Sequence, residues 1–486
     1  MGRNRRTTIA PPASLELEPD TMGAMVELTM DRIQRHLATL DSQPMHAVAG
    51  KKKLARALRE PMPEDGVAFE RLLRLLFGRV IPASLNTASP GYLAYIPGGG
   101  IFHAAVADLI ANATNRYVGV WQAAPLLTEI EANVIRWFAS MLGLPDTAGG
   151  VLTTGGSLAN LFAVIAARRL RLPEDFSRGV AYTSDQAHHS VLRAAVLAGV
   201  PAGQVREIES DASLRLDAAR LDAAMHADRA AGRVPFLVVA SAGTTNTGAV
   251  DDLGAVAEVA ARHGAWFHVD AAYGGFFALT ERGRRALAGI ERADSVTLDP
   301  HKSLFLPYGT GCLLARDRDD LRRAFAHHAN YLPPMQSEPD LFDFCDMSPE
   351  LSRDARGLRV WLPLKMHGAG TFRAALDEKL DLARHAADAL RAMPELEIVA
   401  EPQLSLFAFR VRPPAGAGAD AAQVAEERTR RLLVAVNARQ RVLLTGAVVR
   451  GRFVARICVL SFRTHASRIE ACIDDVRAGL REILDG

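Results

Sequence analysis

Apolar residues recur at three- and four-residue spacing from about Thr21 to Phe77, which predicts helices. Examples are Met25-Val26-Glu27-Leu28-Thr29-Met30 and Phe69-Glu70-Arg71-Leu72-Leu73-Arg74-Leu75-Leu76. The second run is apolar along nearly one whole side, so it is expected to pack against something large. Residues 1–20 lack the pattern and read as a tail. From roughly Ser89 to Leu314 short β-rich runs alternate with alanine-rich amphipathic stretches. Gly150–Thr153 leads into Gly155-Gly156-Ser157 and a helix from Leu158 to Arg169. Gly179–Thr183 precedes a helix at Ser190–Ala198. Pro235–Ala240 and Ala265–Asp270 are almost wholly apolar, as strands buried on both faces should be. Strands alternating with helices imply a mainly parallel sheet, hence an α/β fold. After Trp361 a helical region runs to about Met393. A βαβ-like tail follows: Ser405–Arg410, helix Ala421–Arg439, Val442–Leu444, Ala455–Leu460 and helix Ala466–Leu484. Pro413–Gly418 reads as a loop. The tail is expected to be a small α+β domain.

Composition narrows the class. The 486 residues carry 57 Lys+Arg against 55 Asp+Glu, a formal charge of +2, so no global basic field exists to hold nucleic acid. Hydrophobic residues at 49% and charged residues at 23% are the balance of a soluble globular chain with room for several domains. No run approaches the ~18 apolar residues that span a bilayer, and no apolar stretch follows the basic start, so neither a membrane span nor a signal peptide is expected. Cys312, Cys345, Cys458 and Cys472 are far apart, with no CxxC pair. That argues against a zinc site and a disulfide framework, and fits a reducing cytoplasm.

Ligand chemistry in such sheets gathers at the carboxyl ends of the strands. Four candidate elements sit there. Asp299-Pro300-His301-Lys302-Ser303 follows a strand, Asp294–Leu298, and puts a lysine on a stiff turn. A lysine in a protected pocket forms Schiff bases with aldehydes, although a lone lysine is most often a surface charge. Asp270, in His268-Val269-Asp270-Ala271-Ala272-Tyr273, ends an apolar strand and needs a cationic or donor partner. A pyridinium nitrogen would serve, and Ala272 would let a flat ring lie close. The plain alternative is a carboxylate capping the next turn. Thr154-Gly155-Gly156-Ser157 opens a helix whose free N–H groups suit one phosphate, or it is a turn with Ser157 as N-cap. It is not a GxxxxGK[ST] loop. His188, in Ser184-Asp185-Gln186-Ala187-His188-His189, could stack on a flat ring or act as acid or base. His189 should point elsewhere. Adjacent histidines lack the i, i+4 metal spacing of a helix face, so no metal is expected.

Together these elements resemble the fold-type I enzymes that use pyridoxal 5′-phosphate (PLP), and within them the group II amino-acid decarboxylases, aromatic-L-amino-acid decarboxylases included. The likeness runs from about Pro90 to Arg477. It rests on Gly91–Pro97, Thr128-Glu129-Ile130-Glu131, Ser184–His188, Gly243-Thr244-Thr245, Val269–Tyr273, Pro300-His301-Lys302, Gly451–Val454 and Phe462–His465. The resemblance implies a seven-stranded-type, mainly parallel sheet in a large PLP-binding domain (86–370), an N-terminal tail and helical dimerisation segment (1–85) and a small C-terminal domain (371–486). It implies that Lys302 carries PLP, Asp270 pairs with its ring nitrogen, His188 stacks on one ring face and Ala272 on the other. Gly156, Ser157 and His301 would hold the phosphate, with Thr244 beside the ring. It also implies a homodimer with shared active sites.

The activity implied is loss of CO2 from an L-amino acid to leave an amine. The family associates the returning proton with a tyrosine on a mobile loop. Leu351, Arg353, Arg356 and Trp361 fall on the family pattern, and counting back from them puts Phe344 at the tyrosine's place. Phenylalanine has no proton to give. In some family members that exchange goes with an oxygen-dependent outcome: aldehyde, ammonia and peroxide. Otherwise His188, Tyr95 or a water delivers the proton. Tyr95, Ile96, Pro97 and Trp121 are expected to line the side-chain pocket, with Gly98, Gly99, Gly100 and Gly119 removing bulk. That favours a flat aromatic substrate over glutamate, since no basic residue is evident in those segments.

Overall fold

The computed structural model describes residues 9, 14–46, 50–326, 338, 340–413 and 420–485. Seven strands form the main sheet: β1 (Gly149–Thr153), β2 (Gly179–Ser184), β3 (Val205–Ile208), β4 (Val234–Ser241), β5 (Trp266–Asp270), β6 (Ser295–Leu298) and β7 (Gly311–Ala315). Their order is β1-β7-β6-β5-β4-β2-β3. β3, β2, β4, β5 and β6 are mutually parallel, while β7 runs against both β6 and β1. Of the parallel strands, β2, β4 and β6 are buried on both faces, which explains their largely apolar texture, while the edge strand β3 is not. Helices Gly156–Arg171, Ser190–Leu197, Ala218–Ala230 and Leu253–Arg262 fill the crossovers.

Four strands form a second sheet: β8 (Leu396–Ala400), β9 (Leu406–Val411), β10 (Thr445–Val449) and β11 (Arg452–Cys458), ordered β10-β11-β9-β8. Every pairing in it is antiparallel, so the βαβ-like expectation gives way to two hairpins, β8–β9 and β10–β11, joined edge to edge and covered by helices Ala421–Ala438 and Ala466–Asp485. Val442–Leu444 is not a strand of this sheet. Leu443 makes a lone parallel bridge to Tyr92, and pairing begins at Thr445. Arg450 and Gly451, with φ of 49° and 73°, make the tight β10–β11 turn that twisted hairpins favour.

The N-terminal segment carries helices Pro19–Ala38, Lys51–Ala57 and Phe69–Leu75. The helix Arg356–Arg391 links the two sheets and breaks at Gly368, whose φ of 71° leaves the helical region. Most of residues 1–13, and the Pro413–Gly418 loop beyond Pro413, fall outside the described residues. Among the described residues no helix is long and apolar enough to cross a membrane.

Candidate active site

The carboxyl ends of β1, β2, β4, β5 and β6 surround a cavity of about 550 Å³. Gly156, Ser157, His188, Thr244, Asp270, Ala272, His301 and Lys302 all line it, so residues spread over 147 positions of sequence meet at one place. Asn160, Ser190, Arg193, Ser241, Tyr273 and Asp299 also line it and were not singled out from the sequence.

A hydrogen-bond network holds Asp270 and His188 in place. Trp266 Nε1 can only donate, and it donates to Ser295 Oγ at 2.7 Å. His268 Nε2 lies 3.1 Å from Asn160 Oδ1, which only accepts, so Nε2 carries the ring proton and the neutral ring takes the Ser295 hydroxyl proton at Nδ1 (2.8 Å). Thr297 Oγ1 donates to the same Asn160 oxygen at 2.7 Å. The Asn160 amide nitrogen then donates to Asp270 Oδ2 and to Ser190 Oγ, both at 2.9 Å. Asp270 accepts only, so the amide has one possible orientation. Ser190 Oγ passes its proton to His188 Nδ1 at 2.7 Å, and the Ser190 N–H points at the same nitrogen. His188 is thus set with its proton on Nε2. Burial pushes the His188 imidazolium down, with Asp270 opposing, so the ring is neutral at pH 7. His189 is exposed and is not on the cavity wall. Its ring lies 4.2 Å from that of His188, tilted by 51°.

Lys302 sits on a one-turn helix, Pro300–Ser303, after β6. Its Nζ lies 2.9 Å from Asp299 Oδ2. Burial alone would lower the Lys302 ammonium; the Asp299 carboxylate, with Asp270 behind it, outweighs burial and raises it. Asp270 Oδ1 accepts the Ala272 N–H at 3.1 Å, which fixes the carboxylate at its second oxygen. His301 Nδ1 donates to Thr310 O at 2.6 Å. Thr244 Oγ1 is tied to Thr247 Oγ1 at 2.8 Å and accepts from Ala249 N.

The helix after β1 opens at Gly156 with Gly155, not Ser157, as its N-cap residue, and no side chain caps the first turn. Its N–H groups are open to an anion at the cavity. A Cβ on Gly156 would come within 3.0 Å of Asp299 Oδ2 and 3.1 Å of Ala272 Cβ. Only glycine lets this turn lie so close to the end of β5 and the lysine turn.

Three groups of expected site residues lie off the cavity of the single chain. Phe344 is fully buried, its ring against Phe342 (5.8 Å) and under the Arg353 guanidinium (4.5 Å), and it lies away from the cavity wall. Counting back from Trp361 found its number but not its surroundings. Trp121 is likewise displaced: its N–H donates to Asp343 Oδ1, which ties it to the Phe344 segment, and it is not on the cavity wall. Gly98 and Gly119 do not create substrate space. A Cβ on Gly98 would run into the His301 and Lys302 carbonyls, and one on Gly119 into Tyr117 and Leu351. The Tyr95–Pro97 segment is consequently packed on the back of the lysine turn and lies outside the cavity wall. Tyr95 is exposed with φ of 52°, and its carbonyl accepts from buried Arg456 of β11, which also donates to Thr245 and Asn246 carbonyls.

A second polar cluster, Asp222, His226 and His263, joins helices Ala218–Ala230 and Leu253–Arg262. Arg262 and His263 already hold the Asp222 carboxylate, and Arg229 donates to His263 Nδ1, so the group clamps the helices.

A seven-stranded α/β sheet with a lysine, an aspartate and an open helix N-terminus at its carboxyl edge defines an enzyme built for an aldehyde cofactor that carries a phosphate and a basic ring nitrogen. Residues 53–412 match the model of the pyridoxal-dependent decarboxylase conserved domain. The chain is 34% identical to the aromatic-L-amino-acid decarboxylase of Bacillus atrophaeus, over 97% of this chain and 98% of that one. It superposes on Oryza sativa TDC, solved with PLP and tryptamine, with a TM-score of 0.91 at 31% identity, over 97% and 99% of the two chains. A Rhodiola rosea 4-hydroxyphenylacetaldehyde synthase superposes with a TM-score of 0.88 at 24% identity over 96% and 99%, a likeness of fold. The chain belongs to the pyridoxal-dependent decarboxylase family. It is a PLP-dependent amino-acid decarboxylase.

The residues fit that cofactor: uncapped N–H groups for its phosphate, an orphaned acceptor at Asp299 Oδ1, an amine for its aldehyde and a fixed carboxylate for its ring nitrogen. When bound, PLP supplies the electron sink for a bond broken at the substrate's Cα.

Proposed function

We propose that the enzyme removes CO2 from an L-amino acid with an aromatic side chain and releases the amine, as a homodimer in the cytoplasm. One observation supports the reading most: Lys302, Asp270 and His188 converge on one cavity, and a hydrogen-bond network branching at Asn160 holds the last two. In this reading Lys302 carries the cofactor and Asp270 takes its ring proton. His188 stacks on the ring and presents Nε2–H as a proton source, while Gly156, Ser157 and His301 hold the phosphate. Thr244, tied to Thr247, closes the wall beside the ring, and Ala272 leaves room on the other face. Tyr95, Ile96, Pro97 and Trp121 then serve substrate only if a second subunit brings them to its neighbour's cavity.

Similarity to the B. atrophaeus enzyme supports an aromatic substrate. Arg193 is a cation on the cavity wall that the sequence reading missed, so acidic amino acids belong in the same assay. The oxygen-dependent alternative drew on Phe344, whose ring packs in the core. The purified enzyme should be given Phe, Tyr, Trp, Dopa and Glu, with CO2, amine mass, peroxide and ammonia read together. Amine and CO2 in equal amounts from an aromatic substrate is the expected result. Peroxide equal to CO2 would replace the amine reading, and turnover of Glu alone would replace the aromatic one.

A further inference from the structure

Among the described residues Asp299 is the one carboxylate in contact with Lys302, and its own surroundings are unusual. Its side chain is buried, Oδ2 lies 2.9 Å from Nζ, and Oδ1 has no hydrogen-bond partner. His301 Nδ1 stands 3.7 Å from Oδ1 but gives its proton to Thr310 O. The carboxylate therefore has a single cation to serve. We propose that Asp299 is the counter-ion that keeps Lys302 as an ammonium whenever the amine is free, and that it thereby sets the pH at which the cofactor is captured. The inference rests on Lys302 being the cofactor lysine.

Capture requires a neutral amine. The ammonium gives one proton to solvent. The Nζ lone pair then adds to the aldehyde carbon, the C–O bond breaks, and the aldehyde oxygen leaves as water with the two remaining amine hydrogens. A carboxylate at 2.9 Å opposes the first event, because it favours the charged form. The same contact gives the lysine a fixed resting place whenever substrate has displaced it, so it does not compete for the aldehyde carbon. The other groups facing Lys302 are His301 on its own turn, Asp270 at the end of β5, His188 after β2, Tyr308 on the next loop and Cys458 on β11. Burial pushes the Cys458 thiol up to about 12, so it is neutral, and His188 is neutral at pH 7. Asp270 is already held by Asn160 and Ala272, which leaves Asp299 as the direct partner.

The test is the growth of the cofactor's C=N absorbance when PLP is mixed with the cofactor-free full-length enzyme across a pH series. In Asp299→Asn the midpoint of the rate profile should move to lower pH by about one unit or more, with capture near pH 7 faster by about tenfold or more. An unmoved midpoint, or one moved to higher pH, overturns the proposal. Pyridoxal, which lacks the phosphate, should show the same shift; a shift with PLP alone would assign Asp299 to the phosphate and overturn it too. If Lys302→Ala keeps the absorbance, the cofactor-lysine reading fails, which is a separate outcome. Should Asp299→Asn not fold, acylation of the unsubstituted cofactor-free enzyme decides. Labelling of Lys302 should still rise with pH where labelling of a free lysine derivative in the same solution has levelled off, and levelling off together with it overturns the proposal.

Discussion

Asp270, which only accepts, fixes the Asn160 amide, and through it the donor direction of the links to His268 on one side and Ser190 on the other. Asn160 is the branch point, since its amide serves both Asp270 and Ser190. Asn160→Ala strips partners from Asp270, Ser190, His268 and Thr297 at once. We expect a loss of about 1–3 kcal/mol in denaturant unfolding, and at least tenfold faster loss of cofactor absorbance on dilution. A drop in stability with unchanged cofactor release would show that the amide serves packing only. A pH prediction follows from two other buried groups. Burial holds the His268 imidazolium down at about 4. The unfolded chain binds that proton near 6.5, so stability is lost as pH falls from about 6.5 towards about 4. Burial pushes Asp251 up to about 6, despite donors from Leu216 and Ser241. Between about 6 and 3.8 the folded chain takes up a proton that the unfolded chain does not, which adds stability as pH falls. The two contributions oppose each other through the same window. Asp251→Asn removes the second, so unfolding free energy should fall more steeply below pH 6, by roughly 1.4 kcal/mol per pH unit relative to the unsubstituted chain. Equal slopes in equilibrium unfolding would refute this. At this scale the sequence displayed Lys302, Asp270 and His188 because each is a polar group ending an apolar strand. Asn160 and Asp299 gave no such contrast: one lies inside an amphipathic helix and the other beside a more conspicuous lysine. Phe344 was misread because loop spacing carries no information about which way a ring faces.

The elements that hold the cavity are braced by buried ion pairs. Arg353 and Glu131 are both fully enclosed, 2.6 Å apart, and join helix Pro125–Met141 to the segment before helix Arg356–Arg391. Arg353 and Arg356 also donate to the Leu152 carbonyl of β1, and Glu131 accepts the Gly357 N–H. Arg353→Met leaves the Glu131 carboxylate buried without its cation, at an expected cost of about 3–5 kcal/mol. Adding Glu131→Leu should restore much of that loss in thermal unfolding, because the stranded charge is gone; a further drop would mean the carboxylate's bond to Gly357 matters more than its charge. A paired test concerns the turn under Lys302. Gly98→Ala should abolish cofactor binding by pushing on the His301 and Lys302 backbone. Gly203→Ala, with nothing within 4 Å of its added carbon, should leave binding intact. The parallel sheet was legible because doubly buried strands alternate with amphipathic helices. The second sheet was not, since β10 and β11 form a hairpin whose turn, Arg450-Gly451, lacks the usual Asn or Asp, and the eye joined strand to helix to strand instead.

One chain alone leaves apolar surface uncovered. Leu72 and Leu76 of the Phe69–Leu76 run are 41% and 42% exposed, and Leu109, Ile110, Leu126 and Trp137 are exposed as well. Scattered apolar residues are ordinary on a surface, but a helix whose apolar side faces outward is not. The sequence already carried this signal, an apolar side too wide for a solvent-facing helix. It could not say what covers that side, because a second copy of the chain, the proposed partner, would leave no separate mark in the sequence. Arg456 of β11 donates to the Tyr95 and Thr245 carbonyls, which ties the second sheet to the loop that follows β4. Covering the N-terminal helices with a second copy would place both copies' loops near each cavity. Light scattering should therefore give a particle of about twice 52.4 kDa. Leu72→Glu with Leu76→Glu should yield a 52.4 kDa particle that keeps its helical circular dichroism but loses cofactor at least tenfold faster. A monomeric unsubstituted enzyme that decarboxylates its substrate would dismiss the shared site, and a monomeric double variant with unaltered turnover would show that the copies associate without completing each other.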